Sequence, residues 1–564
     1  MESTLIMMNT TTPAGICDLS GIWQFTFRPE ALENLAPAQV EFDSYAAVPG
    51  CFDLLPQCKF KRGTGIYARE VEISGPVELT VNGIGLKGAV YWDGVLKEEI
   101  DVPFSKRVLR FDAGEGSVHK LVIAVNNMFD PQPSSLFKPN YDFYAHGGIY
   151  RKVTIAPAKP VFAEEIKLLP LDIKEGTVEV ALKFSGDTSS LESAELFWDE
   201  STAPVTLKLE NGAGKGTFKV PAHKIWSPEA PNLHKVTIKA GCFEKSIRFG
   251  LRSVTTSKGK LYLNGELLKI AGTNRHDAHP DFGYAVPADI RLRDLLMLKK
   301  QGFNCIRGCH YPQDEEFLDM CDTLGMMVWE ESLAWGNKEA DLADPLFCER
   351  QLRETKRMAL KSINHPCVIM WGFLNECDSA SEAGQKLISS LLKLLHETDT
   401  SRPVTYGGNR LLRDICLAYV DIISFNTYPC WYGAGEDQYF DGDCLRAHLD
   451  ELANFASAPE YIEKPLIISE IGAEALPGDH SGMRWSEDYQ ASLLCETMRY
   501  VLESERYTGT FLWQFCDIRT YVSNTCQVRS GGFNHKGMVD YSRMPKLSWN
   551  AVGQVIKEYF SKEK

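Results

Sequence analysis

Asp289–His310, DIRLRDLLMLKKQGFNCIRGCH, reads as a helix handing over to a buried strand. Ile290, Leu292, Leu295, Leu296 and Leu298 make a broad apolar stripe at helical spacing, ended by Gly302. Phe303–His310 is then short, apolar and strand-like. The same alternation runs from about residue 256 onward. Its strands are LLKIAGTN (267–274), FNCIRGCH (303–310), MMVWEE (326–331), CVIMWGFLNE (367–376), PVTYGGN (403–409), IISFNTYP (422–429), PLIISE (465–470) and TGTFLWQF (508–515). Amphipathic runs such as DEEFLDMCDTLG and SEAGQKLISSLLKLLHETD fall between most of them, with acids near their N-termini. Eight strand–helix units in about 300 residues predict a (β/α)8 barrel over 256–564, with a doubly wound sheet as the alternative.

Working toward the N-terminus, the grammar turns to strands alone. GIYAREVEI, VELTVNG, AVYWDG, HKLVIAVNN and IYRKVTIAP alternate between Gly, Asn, Asp and Pro turns, which predicts a jelly-roll sandwich over 1–160. EEIKLLPLDI, GTVEVALKFSG, SAELFWDE, GKGTFKV and NLHKVTIKA follow at roughly ten-residue spacing, the pattern of an immunoglobulin-like sandwich over 161–255. No Cys…Trp…Cys signature marks it as the antibody type.

The 564-residue chain carries a formal net charge of −15, which argues against nucleic acid or an anionic membrane as partner. No apolar run approaches the roughly 20 residues of a membrane span. The N-terminal residues lack a basic n-region, so no secretory signal is expected. The 16 cysteines sit mostly in apolar runs and form no C-x-x-C pair. Cys305, Cys309 and His310 lie close together, but their spacing is not that of a zinc site. Buried reduced thiols in a cytoplasmic protein are expected, with no metal and no organic cofactor.

Two acids carry the chemistry. Glu376 closes WGFLNE and Glu470 closes PLIISE, each at the end of an apolar run. A carboxylate there is costly to bury unless it is used. In a barrel both fall at the C-terminal ends of strands, where active sites lie. Paired carboxylates are the machinery of glycoside hydrolysis. Asn274, His310, Asn375, Tyr428 and Trp513 fall at or just past strand ends as well, a set suited to a sugar. The rival readings are an inverting hydrolase with the same acids and a non-catalytic carbohydrate-binding protein. The second is disfavoured because both carboxylates are present.

At these residues the chain resembles family 2 of the glycoside hydrolases over nearly its whole length. GGIYRKV (147–153), GTNRHDAH (272–279), CHYP (309–312), WGFLNE (371–376) and SEIGAE (469–474) are similar to the family's motifs. The resemblance implies Glu376 as acid/base, Glu470 as nucleophile, and Asn375 on the sugar's 2-hydroxyl. Tyr428 would orient Glu470, and Trp513 would form the floor of the site. FNHKG (533–537) resembles the Asn-x-Lys motif of bacterial β-glucuronidases, which implies that Asn534 and Lys536 hold the sugar carboxylate. Tyr432, Arg529 and Asp142 sit in segments similar to theirs, and AHGG after Phe143 and Tyr144 departs from the usual pattern. A chain this acidic needs a local cation for an anionic sugar, and Lys536 supplies one. The expectation is a retaining exo-β-glucuronidase acting on small or oligosaccharide β-uronides. A β-galacturonidase or dual-specificity enzyme is the alternative, then a β-galactosidase of the same family. The segment after the third strand is short, which implies an open entrance. Large sandwich surfaces suggest a homo-oligomer, dimer or tetramer.

Overall fold

The computed structural model describes residues 10–11, 15–130, 132–138, 142–199, 201, 203–432, 439–521 and 529–562. It divides into two compact units. Met1–Lys159 with Asp277–Pro287 form one, and Pro160–His276 with Ala288–Lys564 form the other.

The first unit is a sandwich of antiparallel strands. One sheet has six strands, in the order Val95–Ile100, Lys87–Trp92, Val118–Asn126, Thr64–Glu72, Gly21–Arg28 and Ser44–Val48. A five-stranded sheet faces it, with Val153–Pro157, Pro76–Val81 and Arg107–Asp112 at its centre and edge. Trp23, Tyr67, Trp92, Leu121, Ile123 and Val125 belong to the core between them. The intervening Val122 and Ala124 are buried as well, because Leu32, Leu35, Val40 and Phe42 cover the outer face of the sheet. This is why Val118–Asn126 reads as a nearly continuous apolar run, although its side chains alternate between two layers. Asp277–Pro287 is an excursion from the barrel into this unit, where Tyr284 Oη donates to the Tyr144 carbonyl at 2.6 Å.

The second unit begins with a smaller sandwich. Val161–Asp172, Thr177–Gly186 and Ala213–Lys219 make one sheet, and Val205–Lys208, Ser193–Trp198, His234–Ala240 and Phe243–Phe249 the other. Strict alternation in Thr177–Gly186 and His234–Ala240 points Val178, Val180, Leu182, Val236 and Ile238 into their common core. Trp226, in the crossing segment, is fully buried and donates to the Asp322 carbonyl of the barrel at 2.9 Å.

The barrel is built from parallel strands Ile270–Arg275, Cys305–Gly308, Met327–Glu331, Val368–Gly372, Ile423–Asn426, Leu466–Ile471 and Tyr507–Leu512. The last pairs with the first and closes the ring on that side. PVTYGGN, read from sequence as a full strand, is not one. It contributes isolated parallel bridges, Val404 to Trp371 and Gly408 to Phe425, which complete the circle between the fourth and sixth positions. The reason is local. The Gly407 carbonyl turns away from the ladder to accept the Glu376 amide at 2.8 Å, and Pro403 has no N–H to give. The helix Ala288–Gln301 also differs from its apolar stripe. Leu292 and Leu296 are exposed, Leu296 by 50 %, and the buried face carries Arg291, Asp294, Leu295, Leu298 and Gln301. Asp294 earns its place there by pairing with Arg275 at 3.0 Å and Arg543 at 3.2 Å.

Candidate active site

Arg307 sits mid-strand and fully buried, and the site is organised around it. Its guanidinium donates to Glu470 Oε1 at 2.7 Å, Glu331 Oε1 at 2.7 Å, Asn274 Oδ1 at 3.0 Å and Asn375 Oδ1 at 2.7 Å. Burial works against its charge, but Glu331 and Glu470 outweigh that and raise its pKa. Glu470 lies within its strand and is 3 % exposed. Its other oxygen accepts the Tyr428 hydroxyl at 2.7 Å. Burial, then the Glu470 charge, raise the Tyr428 pKa well above the usual phenol value, so it stays a donor.

His310 packs beside this pair. Its Nδ1 is 3.1 Å from Glu331 Oε2, and its Nε2 is 3.8 Å from Glu470 Oε1. Burial and then Arg307 lower its pKa to about 3. The ring is therefore neutral, with its proton on Nδ1 facing the Glu331 carboxylate and Nε2 left as an acceptor. Burial raises the pKa of Glu331 against the pull of Arg307. Trp513, 5 % exposed, stacks on the His310 ring at 5.5 Å between centroids.

Glu376 is held differently. Its strand ends at Gly372, so the acid is not at the strand tip but on the turn beyond it. That turn puts Leu374 and Glu376 at φ 47° and 53°, in the left-handed region that side chains disfavour. The Gly407 carbonyl and Asn426 pin it there. Asn426 Nδ2 donates to Glu376 Oε1 at 2.9 Å and to Asn375 Oδ1 at 3.0 Å, while its own Oδ1 accepts from Ser469 at 2.7 Å. Asn375 Oδ1 is thus fixed by Arg307 and Asn426, which leaves its buried Nδ2 without an acceptor among the described residues. Gly407 is required for this convergence. A Cβ there would lie 2.7 Å from an Arg307 nitrogen, 2.7 Å from Asn375 Oδ1 and 2.8 Å from Asn426 Oδ1.

A second polar cluster flanks Tyr428. Lys536, only 1 % exposed, follows a two-residue hairpin strand, Phe533–Asn534. Asn534 Oδ1 accepts the Lys536 amide at 3.1 Å and so sets the loop. The ammonium donates to Tyr432 Oη at 2.9 Å and to Glu474 Oε1 at 3.2 Å. It lies 5.0, 5.5 and 5.7 Å from the ring centres of Tyr432, Trp431 and Tyr428. Arg529, also buried, pairs with the same Glu474. Tyr432 is the exposed member, at 47 %.

Residues 254–559 match the description "Glycosyl hydrolases family 2, TIM barrel domain". The chain belongs to glycosyl hydrolase family 2. It is thereby a glycoside hydrolase, with a sandwich, a second sandwich and a barrel in order. Among solved family 2 structures it is similar to a β-galacturonidase from Eisenbergiella tayi bound to galacturonate, at 31 % identity and TM-score 0.86, covering 96 % of this chain and 97 % of that one. A β-glucuronidase from Faecalibacterium prausnitzii matches at 24 % identity and TM-score 0.86, covering 98 % and 99 %. The β-glucuronidase of Mus musculus is 26 % identical over 84 % of this chain and 76 % of its own length.

In this family 2 hydrolase the structure brings Glu376, Glu470, His310, Asn375 and Tyr428 into one hydrogen-bonded network, with Trp513 stacked on His310. It joins Arg529 and Lys536 through Glu474 and Tyr432 through Lys536, with Asn534 at the base of that loop. Asp142 is half-buried and belongs to the first unit. Four contributors were not singled out from sequence: Arg307, Glu331, Asn426 and Glu474. Arg307 and Glu331 could have been found as charges inside runs that must be buried on both faces. Asn426 and Glu474 sit in quoted motifs, but nothing local marks their partners. His276, Cys309 and His310 could together hold a metal ion by proximity. Burial raises the Cys309 pKa well above the usual thiol value and lowers that of His276, so the sulfur remains a thiol.

Proposed function

We propose that this glycoside hydrolase is a retaining exo-β-glucuronidase. The observation that carries the reading is Tyr428, whose hydroxyl holds Glu470 while its ring lies against the Lys536 ammonium. A cation suited to a sugar carboxylate is thus one side chain away from the nucleophile. Glu470 attacks the anomeric carbon through an oxocarbenium-like transition state, and Glu376 protonates the departing oxygen. Glu376 then takes a proton from the water that releases the sugar. Arg307 and Tyr428 keep Glu470 oriented. Asn375 Nδ2, a buried donor with its carbonyl already fixed, is suited to the 2-hydroxyl. Lys536 and Asn534 receive the uronate, with Arg529 behind them, and Asp142 is assigned to the sugar's 4-hydroxyl.

A second reading, β-galacturonidase, is favoured by the 30–31 % identity to the Eisenbergiella tayi enzyme, against 24 % or less for the solved β-glucuronidases named with it. We also read the protein as cytoplasmic, bacterial and homo-oligomeric. The first rests on the fifteen described cysteines, which are free thiols. No helix among the described residues is long and apolar enough to cross a membrane. We divide the chain into domains at 1–160, 161–255 and 256–564.

The test is a comparison of kcat/KM on aryl β-glucuronide, β-galacturonide, β-glucoside and β-galactoside for wild type and Lys536→Ala. The uronides should be strongly preferred. The variant should lose about ten- to a hundred-fold on uronides alone, the worth of a charge-assisted hydrogen bond. Equal losses on all four would reduce the reading to a family 2 hydrolase of another sugar.

A further inference from the structure

Glu474 is fully buried, four residues past Glu470, and ties together both cations of the second cluster. One oxygen accepts from Arg529 and from Lys536 Nζ; the other is 3.4 Å from the His535 amide. It therefore grips the Asn534–Lys536 loop at backbone and side chain together. Behind the loop, Lys546 donates to the His535 carbonyl at 2.9 Å and to Asp517 at 2.8 Å, and Asp517 accepts the Gly537 amide at 2.8 Å. The loop is thus anchored at its back by one ion pair and at its front by Glu474. Neither Glu376 nor Glu470 needs such a neighbour for hydrolysis as such.

We propose that Glu474 is the positioning residue for uronate recognition, holding Lys536 aimed at the site. The inference rests on the uronidase reading above. A buried ammonium keeps its proton only when an anion or strong acceptors offset the lost hydration. The described groups around Lys536 are Glu474, the Tyr432 and Tyr428 hydroxyls, the Trp431 ring, Arg529 across Glu474, and His535 beside it. Of these, Glu474 supplies the negative charge in direct contact. Replacing it by a neutral isostere leaves Arg529 and Lys536 facing each other across an amide. Lys536 then loses the carboxylate that aims it, and the uronate meets a cation that is no longer fixed in place. Aspartate keeps the charge but is one carbon shorter.

The experiment measures kcat and KM from pH 5 to pH 9 on an aryl β-uronide and on the corresponding neutral aryl glycoside. Wild type, Glu474→Gln and Glu474→Asp are compared, with melting temperatures as a check on folding. In Glu474→Gln, kcat/KM on the uronide should fall about ten-fold or more at pH 7, mostly in KM. The loss should exceed that on the neutral glycoside throughout, and Glu474→Asp should recover a large part of it. Parallel losses on both substrates at every pH would mean that Glu474 only braces the fold, and the proposal would fall while the uronidase reading stood. So would an unchanged uronide profile in both variants. If Glu474→Gln does not fold, Glu474→Asp must still show a uronide-specific loss. A wild type that does not prefer the uronide overturns the underlying reading instead, whatever the variants do.

Discussion

The two acids of the site live in unlike surroundings. Glu470 lies inside a strand, 3 % exposed, with Arg307 on one oxygen and Tyr428 on the other. Glu376 is half-buried on a turn at positive φ, where the neutral amide of Asn426 donates to its Oε1. The difference matches the two jobs proposed for them. A nucleophile must be held in line, which charge-assisted hydrogen bonds from a buried cation and a phenol enforce. An acid/base must gain and lose a proton in each cycle. Asn375, one residue before Glu376, is bonded to Arg307, while the turn holds Glu376 at positive φ.

The strongest way to break this comparison is to exchange the roles. Glu470→Gln should abolish hydrolysis of every substrate, since no other group can form the covalent intermediate. Turnover of an activated aryl glycoside by that variant would overturn the assignment. Glu376→Gln keeps the acceptor for Asn426 and should cost about 10²–10⁴-fold on a poor leaving group. The cost of glycosylation should be much smaller with a weakly basic phenolate, as single-turnover rates would show. Equal costs for both leaving groups would remove Glu376 as the acid.

Tyr428→Phe sharpens the contrast further. It deletes the hydroxyl on Glu470 but keeps the ring beside Lys536. A hydrogen bond to a charged group contributes about 1.5–3 kcal/mol, so kcat/KM should fall ten- to a hundred-fold. The fall should be equal on uronide and neutral glycoside, unlike that of Lys536→Ala. A uronide-specific loss would show that Tyr428 acts through the carboxylate cluster.

A last test concerns stability. Burial and Arg307 lower the His310 pKa from 6.5 to about 3. Between those values the unfolded chain binds the extra proton. This contribution is therefore complete above about pH 6.5 and is lost as pH falls toward 3. His310→Gln should flatten the decline of unfolding free energy between pH 6 and pH 4, by up to about 1.4 kcal/mol per pH unit. Denaturant titrations of both proteins at those pH values would measure it, and identical slopes would show that His310 charges freely in the folded protein.

Much of this site was legible in the chain. Glu376, Asn375 and Glu470 stand where apolar runs end, and a barrel brings all such ends to one face. Arg307 was missed because an arginine inside a strand-like run has no partner within reach along the sequence. Its four acceptors come from four other barrel strands or their ends. The fifth strand was misread for a related reason. Val404 and Tyr406 give it a strand-like pattern, but the Gly407 carbonyl is taken by Glu376, and that competition is invisible until both segments are folded. Leu292 and Leu296 were assigned to a buried stripe because apolar spacing gives a period but not the depth of each position. Asp294, polar and fully buried, occupies the inner face because Arg275 and Arg543 await it there.

The sequence by itself determined the order of layers and the barrel, and it singled out the two acids and Lys536. These follow from periodicity, from turn residues, and from the cost of placing charge at the ends of apolar strands. Tertiary structure alone decided which acid is gripped and which is left half-open, and that one carboxylate, Glu474, serves both Arg529 and Lys536. Those properties depend on distances between segments up to 163 residues apart, as for Arg307 and Glu470, and burial sets the strength of charges that such distances bring together.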